Sequence, residues 1–221
     1  MIKKNVTHIA ALIIWLVPLG YLAKVYTAMP ESVPMHFGID GRPDRYGTKQ
    51  ELLTISIILS AVSLGIYFLI RFLPKIDPKK TAGYSGGTFT KMAFVLVVFL
   101  AAIQLFIIDA AASSSFSLNK YLLPVLGLFF ACLGNLMHNV KSNYFIGIRT
   151  PWTLEDEDTW RVTHQLAGKL WFAGGILTAI ATLLLPFKAG FIVFIAVVAV
   201  ITLIPVIYSY LYFKRKQKTA S

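Results

Sequence analysis

The sequence predicts an all-α membrane protein, a bundle of six transmembrane helices with both termini on the cytoplasmic side. Three observations predict it. Of 221 residues, 57% are apolar and only 14% charged, against about 45–50% and about 25% in a soluble domain. The apolar residues gather into six stretches, each near the length a helix needs to cross the hydrocarbon core. The net charge of +11 is also unevenly placed. Fifteen Lys and Arg lie at the N-terminus, after the second and fourth stretches and in the C-terminal tail. Five lie in the alternate connections, with Lys24 inside the first stretch. The positive-inside rule turns that asymmetry into an N-in, C-in orientation. It also removes the reason to read +11 as nucleic-acid binding, and the expected partner of this surface is the lipid bilayer. A disordered chain would leave too much apolar surface unburied. Cys132, the only cysteine, sits in an apolar run, which excludes a disulfide-stapled secreted domain.

The first span, Thr7–Tyr26, follows Lys3 and Lys4; its apolar run is too long for a signal peptide, so it reads as an uncleaved first helix. Thr48 with Glu51 three residues on forms a capping box that opens the second span, Leu52–Leu73. Pro74–Lys91 is basic and rich in Gly, Pro and Ser, a flexible cytoplasmic linker suited to anionic lipid. The third and fourth spans, Met92–Ala112 and Tyr121–Asn139, are joined by a tight hairpin over Ser113–Lys120. The fifth and sixth, Gly168–Pro186 and Phe191–Phe213, are joined by Phe187–Gly190. The chain therefore divides into a two-span unit (1–73), a linker (74–91) and a four-span region (92–221).

Two connections are long. The outer one, Ala28–Glu51, holds Pro30, Pro34 and Pro43, which exclude a regular helix, and Asp40-Gly41, a favoured turn pair between short extended runs. His36, Asp40 and Asp44 could ligate a cation, but their spacing matches no closed metal site. Turn and cap chemistry explains them, and neither metal nor cofactor is expected.

The inner connection, Val140–Ala167, is more specific. Gly147 permits a sharp bend, and Pro151 stops any helix arriving from the fourth span. Thr153 is the expected N-cap of the next helix, with Asp156 returning the bond. Glu155, Asp156, Glu157 and Asp158 crowd its first turn, where the helix dipole favours negative charge. Trp160, His164, Gly168, Trp171 and Gly175 then fall on one helical stripe. Arg149 is free to pair with a carboxylate, Asp158 and its neighbours being candidates, or with a lipid phosphate. Trp152 and Trp160 fit the interfacial aromatic belt. Deeper in the spans, Gln104 and Asn135 read as interhelical hydrogen-bonding groups. His138 and His164 read as interfacial histidines. Lys24 either pairs with Asp109 or snorkels to the surface.

The run Gly147-Ile-Arg149-Thr150-Pro151-Trp152-Thr153-Leu154, with Trp160 after it and Gly134-Asn135 and Asn143 before it, resembles the signature of the SdpI-type immunity family. The outer loop, with Pro34-x-His36-Phe37, Gly41-x-Pro43-Asp44 and Gly47-x-Lys49, resembles a short domain of unknown function often placed ahead of it. The resemblance implies a multi-pass bacterial plasma-membrane protein that protects its host against a secreted antimicrobial peptide. It also implies a signalling role in which the cytoplasmic face holds a regulatory protein. On that reading His164 and the inner motif support the fold or a partner, and the outer motif meets the toxin. The competing function is a small exporter of a peptide or lipid-like molecule, which would need a buried polar path. An enzyme is not expected, since no nucleophile, metal array or acid–base pair stands out. Both long loops carry an Arg, a Pro and a threonine cap in similar order, which suggests an inverted 3+3 repeat.

Overall fold

A computed structural model describes residues 2–38, 43–79, 86–113 and 118–220. Among these the chain forms α1 (Ile2–Val25), a 3-10 turn (Tyr26–Ala28), β1 (Ser32–Phe37), β2 (Pro43–Thr48), α2 (Lys49–Ile76), α3 (Gly86–Ala112), α4 (Leu118–Met137), α5 (Pro151–Glu155), α6 (Glu157–Leu184) and α7 (Phe187–Ala220). Six helices are long and apolar enough to span a membrane: Val6–Ala28, Lys49–Ile76, Gly87–Ala112, Lys120–Met137, Glu157–Leu184 and Phe187–Thr219. They coincide with the six expected spans. Helices satisfy every backbone group within the segment, which lipid demands. α6 runs straight from the inner connection into the fifth span, and only Leu185 and Pro186 separate it from α7.

The outer connection is an antiparallel hairpin, with Ser32 opposite Thr48, Pro34 opposite Tyr46 and Phe37 opposite Pro43, and an irregularity around His36. Its expected Asp40-Gly41 turn lies outside the described residues. Thr48 caps α2 as expected: its Oγ1 accepts from the Glu51 amide at 3.1 Å, and Glu51 accepts from the Thr48 amide at 3.2 Å. Val33 is fully buried with Leu22, Leu52, Ile108 and Ala111, so the hairpin is seated where α1 ends, α2 begins and α3 ends. The linker is shorter than expected, because α2 continues to Ile76 and α3 already begins at Gly86. Asp77, which precedes Pro78, is extended, as the pre-proline position requires.

α3 packs against both α1 and α2, and Gln104 ties it to the buried serine face of α2. Its Nε2 donates to the Ser56 carbonyl at 2.9 Å and to Ser60 Oγ at 3.1 Å. Trp15 adds α1 by donating to the Ser60 carbonyl at 2.9 Å. In the second half α6 is central, packed between α4 and α7. The middle helix is thus the third of the first triplet and the second of the second triplet. A duplication would preserve packing order, and this order gives the suggested inverted repeat no support.

The α4–α6 seam is made of backbone. A Cβ on Gly127 would lie 2.6 Å from the Ala179 amide nitrogen, and one on Gly134 would overlap the Phe172 nitrogen. A Cβ on Gly175 would overlap the Ala131 nitrogen. Small residues allow this approach, the form of association that works without a hydrophobic driving force between helices. One expectation needs correction, and the choice left open at Lys24 is decided. Asn135 is exposed on α4 rather than bonded across the seam. Cys132 faces outward. Asp109 accepts from the Tyr21 hydroxyl at 2.5 Å, and Lys24 is exposed, the snorkelling alternative.

Replacing Gly175 with Leu places a branched side chain where the Ala131 backbone lies. The expected result is a loss of about 1–3 kcal/mol or more, read as a lower thermal midpoint in detergent. Gly20→Leu, at a position with open space around it, should leave the midpoint unchanged.

Candidate functional site

The inner motif forms a closed corner at the end of the bundle opposite the hairpin. After α4 stops, residues 138–150 have no regular structure, so their peptide groups must find other partners. Asn143 supplies four of them. It is fully buried; its Oδ1 accepts from the amides of Phe145 at 2.8 Å and Ile146 at 2.7 Å. Its Nδ2 donates to the carbonyls of Lys141 at 2.9 Å and Ile146 at 2.8 Å. All four bonds available to a primary amide are made.

The bend at Gly147 follows. Its φ of +119° is the only positive value among the described residues. A Cβ there would strike His164 Nε2 and come within 3.1 Å of the Trp160 ring. His164 Nε2 accepts from the Ile148 amide at 3.0 Å, and Nδ1 faces the Trp160 carbonyl at 2.8 Å. An amide N–H can only donate, so the proton of this ring sits on Nδ1. The Trp160 and His164 rings stack with centroids 4.0 Å apart. Trp160 is 2% exposed and donates to the Val140 carbonyl at 2.8 Å. It is a core residue joining α6 to the end of α4, not a belt residue.

Thr150, rather than Thr153, caps the helix that follows the bend. It opens α5 with Pro151 in the first turn, where a missing N–H costs nothing. Thr153 is the reciprocal partner: its Oγ1 accepts from the Thr150 amide at 2.9 Å and donates to the Ile148 carbonyl at 2.8 Å. α6 has its own cap in Asp156, whose Oδ1 accepts from the Thr159 amide at 2.6 Å and hydroxyl at 2.8 Å. Its Oδ2 accepts from Lys216 Nζ at 2.6 Å. Burial pushes the Asp156 carboxyl up, but Lys216 and the two Thr159 bonds outweigh it and hold the group below the ordinary carboxylate range. Asp158 accepts from Tyr212 at 2.7 Å and from Arg161 at 2.5 Å. Trp152 donates to Ser209 at 2.5 Å and meets Tyr210 edge-on. The acids and Trp152 therefore bind the corner to the end of α7.

Arg149 takes none of the expected carboxylates. It is exposed, and its Nη1 donates to the Tyr144 carbonyl at 2.5 Å. Asp156 and Asp158 are already occupied by Lys216, Tyr212 and Arg161. The sequence reading also missed Asp77, which is 1% exposed and fastens the corner to α2. It accepts from the Tyr144 amide at 3.2 Å and the Lys79 amide at 2.9 Å, while Lys79 Nζ donates to the Leu154 carbonyl at 2.5 Å. A signal existed: an acid at a helix C-terminus opposes the macrodipole and therefore needs donors of its own.

In the outer motif, His36 and Asp44 form an exposed pair at 2.5 Å, and Pro34, Phe37, Pro43 and Gly47 hold the hairpin register. A Cβ on Gly47 would overlap Glu51, the capping residue. Gly41 and Asp40 lie outside the described residues. Among the described residues no group of three or more His, Cys, Asp or Glu side chains is placed to hold a metal ion.

Six apolar helices and a corner built at one end of them define a multi-pass protein of the cell membrane. Residues 139–209, from the corner through most of α7, match the SdpI/YfhL protein family. Residues 13–60, which include the hairpin, match a domain of unknown function (DUF1648). The chain is 28% identical to the Immunity protein SdpI of Bacillus subtilis (strain 168), over 96% of its own length and 97% of that protein. An uncharacterised protein of Archaeoglobus fulgidus is 44% identical over 52 residues, 24% of this chain and 26% of that one. No solved structure matches.

Gly147→Ala forces a side chain into positive φ, at about 1–3 kcal/mol, and into the His164 ring. The thermal midpoint should fall, and hydrogen exchange at Ile148 should rise with it. Asp156→Asn should lower the midpoint at neutral pH. A carboxylate held below its unfolded value contributes stability above that value, and loses it as pH falls through the folded one. Wild-type and variant midpoints should therefore converge below about pH 4.

Proposed function

We propose that this protein is a membrane immunity protein that protects its host against a secreted antimicrobial peptide. The observation that carries the reading is the similarity to the Immunity protein SdpI along 96% of the chain, which takes in both motif loops and all six spans. The distribution of Lys and Arg puts the hairpin outside and the corner in the cytoplasm. On that orientation the hairpin and the adjoining ends of α1, α2 and α3 meet the peptide, with Tyr46 60% exposed on the hairpin face. The corner, rigid and bonded to α2 and α7, offers the cytoplasmic surface on which a regulatory protein is held. An exporter gains no support from Gln104, whose buried amide is bonded to Ser56 and Ser60.

Expression in a bacterium sensitive to the peptide should raise survival. Tyr46→Ala should reduce protection while leaving the inserted amount unchanged. Unaltered killing, with the protein shown to be inserted, would contradict the immunity reading. Orientation has its own test in a Cys132→Ser background. A membrane-impermeant thiol reagent should label Y46C in intact cells and K214C only after permeabilisation; the reverse pattern would invert the protein.

A further inference from the structure

We propose that the groove on the outer side of the α4–α6 seam is a binding site for the phosphodiester headgroup of an anionic phospholipid. Two contiguous cavities form it. One, of about 550 Å³, is lined by Asn135, His138, Gln165, Lys169 and Phe172, with Gly134 and Gly168 beneath. The other, of about 560 Å³, continues toward the corner past Lys141, Ser142, Arg161, Glu157 and Asp158, and His138 lines both. Gly134 and Gly168 form its floor, where α4 and α6 meet backbone to backbone.

Its height on the helix matches a lipid headgroup. α6 has 28 residues, about 42 Å at 1.5 Å per residue, while the hydrocarbon core is about 30 Å thick. The Leu184 end of α6 exposes Leu177, Ile180, Leu183 and Leu184, so the excess length stands at the Glu157 end. Counting back from Leu184 puts Gln165 at the hydrocarbon boundary and Lys169 one turn inside it. An ammonium one turn inside must reach back to the headgroup layer. Phe172, 48% exposed one turn deeper, gives an acyl chain its contact.

The charges favour an anion. Arg161 is committed to Asp158, and Asp158 also to Tyr212. Lys169 and Lys141 have no carboxylate partner among the described residues. Glu157 stands at the water end of the outer cavity, away from Lys169. The uncompensated charge is therefore positive around His138, where the amides of Asn135 and Gln165 add donors. A phosphodiester fits this set.

The test uses the full chain, delipidated in detergent, with dioleoylphosphatidylglycerol or dioleoylphosphatidylcholine added back. Retained lipid is counted by native mass spectrometry and the thermal midpoint is read alongside. Phosphatidylglycerol should be retained selectively and should raise the midpoint more than phosphatidylcholine. Lys169→Gln should weaken that retention about fivefold, the contribution of one basic residue near an anionic surface. Lys169→Arg should keep it, as should Lys188→Gln at the opposite end of the bundle. Equal retention of both lipids, an undiminished effect in Lys169→Gln, or the same loss in Lys188→Gln would overturn the site. So would inorganic phosphate alone reproducing the rise in midpoint, which would make the ligand a free anion.

Discussion

The constraint on which the rest of the structure depends is that irregular backbone at the end of a membrane bundle must be bonded internally. Between Met137 and Pro151 the chain abandons helix while remaining packed against it. An unpaired buried peptide group costs about 1–3 kcal/mol, and a side-chain amide can satisfy several at once. Asn143 does this in four bonds, His164 takes the amide that follows the Gly147 bend, and Trp160 takes the Val140 carbonyl. Each of these groups is also a packing element. The loop conformation and the start of α6 are consequently one object: α6 presents Trp160 and His164 to the loop, and the loop's carbonyls and amides hold α6 in place.

The spans were legible because their signal is local and large. Twenty apolar residues in a row can be read without knowing what they touch, and the Thr48–Glu51 cap is complete within four residues. The corner was legible only in part. Gly147, Asn143 and His164 stood out as a signature, yet their bonds join positions that only the bend brings together. Thr153 looked like a cap because it precedes acids. The actual starts, at Thr150 and Asp156, depend on α5 being a single separate turn. Arg149 looked available for a carboxylate because Asp158 lies nine residues away in sequence. The carboxylates were claimed instead by α7, some 54 to 60 residues further on. Asp77 was missed for the same reason, since its partner is Tyr144, 67 residues away.

The glycines of the α4–α6 seam act in two places at once. On the inside they let two helices approach to backbone contact, which positions α6, and with it Trp160 and His164, against the end of α4. On the outside Gly134 and Gly168 also line the groove that Lys169 and His138 overlook. Added Cβ atoms would meet the facing backbone and force the helices apart, moving the two walls of the groove with them. Packing of the corner and the shape of the adjoining surface therefore cannot vary independently, and both rest on α4, which lies wholly outside the two matched regions.

α2 connects the two motif loops physically. One end is capped by Thr48, the last residue of the hairpin's second strand, and the other end leads into Asp77, bonded to the corner at Tyr144. Its 28 residues span about 42 Å, so the loops sit at opposite ends of one helix with no flexible joint between cap and anchor. The serine face that carries Gln104 keeps this helix against α3 along its middle. The hairpin and the corner are therefore joined by one continuous helix with specific bonds at both ends, rather than by a linker. That α2 has specific bonds at both ends, where a simple membrane anchor needs neither, gives a physical reason for the two motifs to occur in one chain.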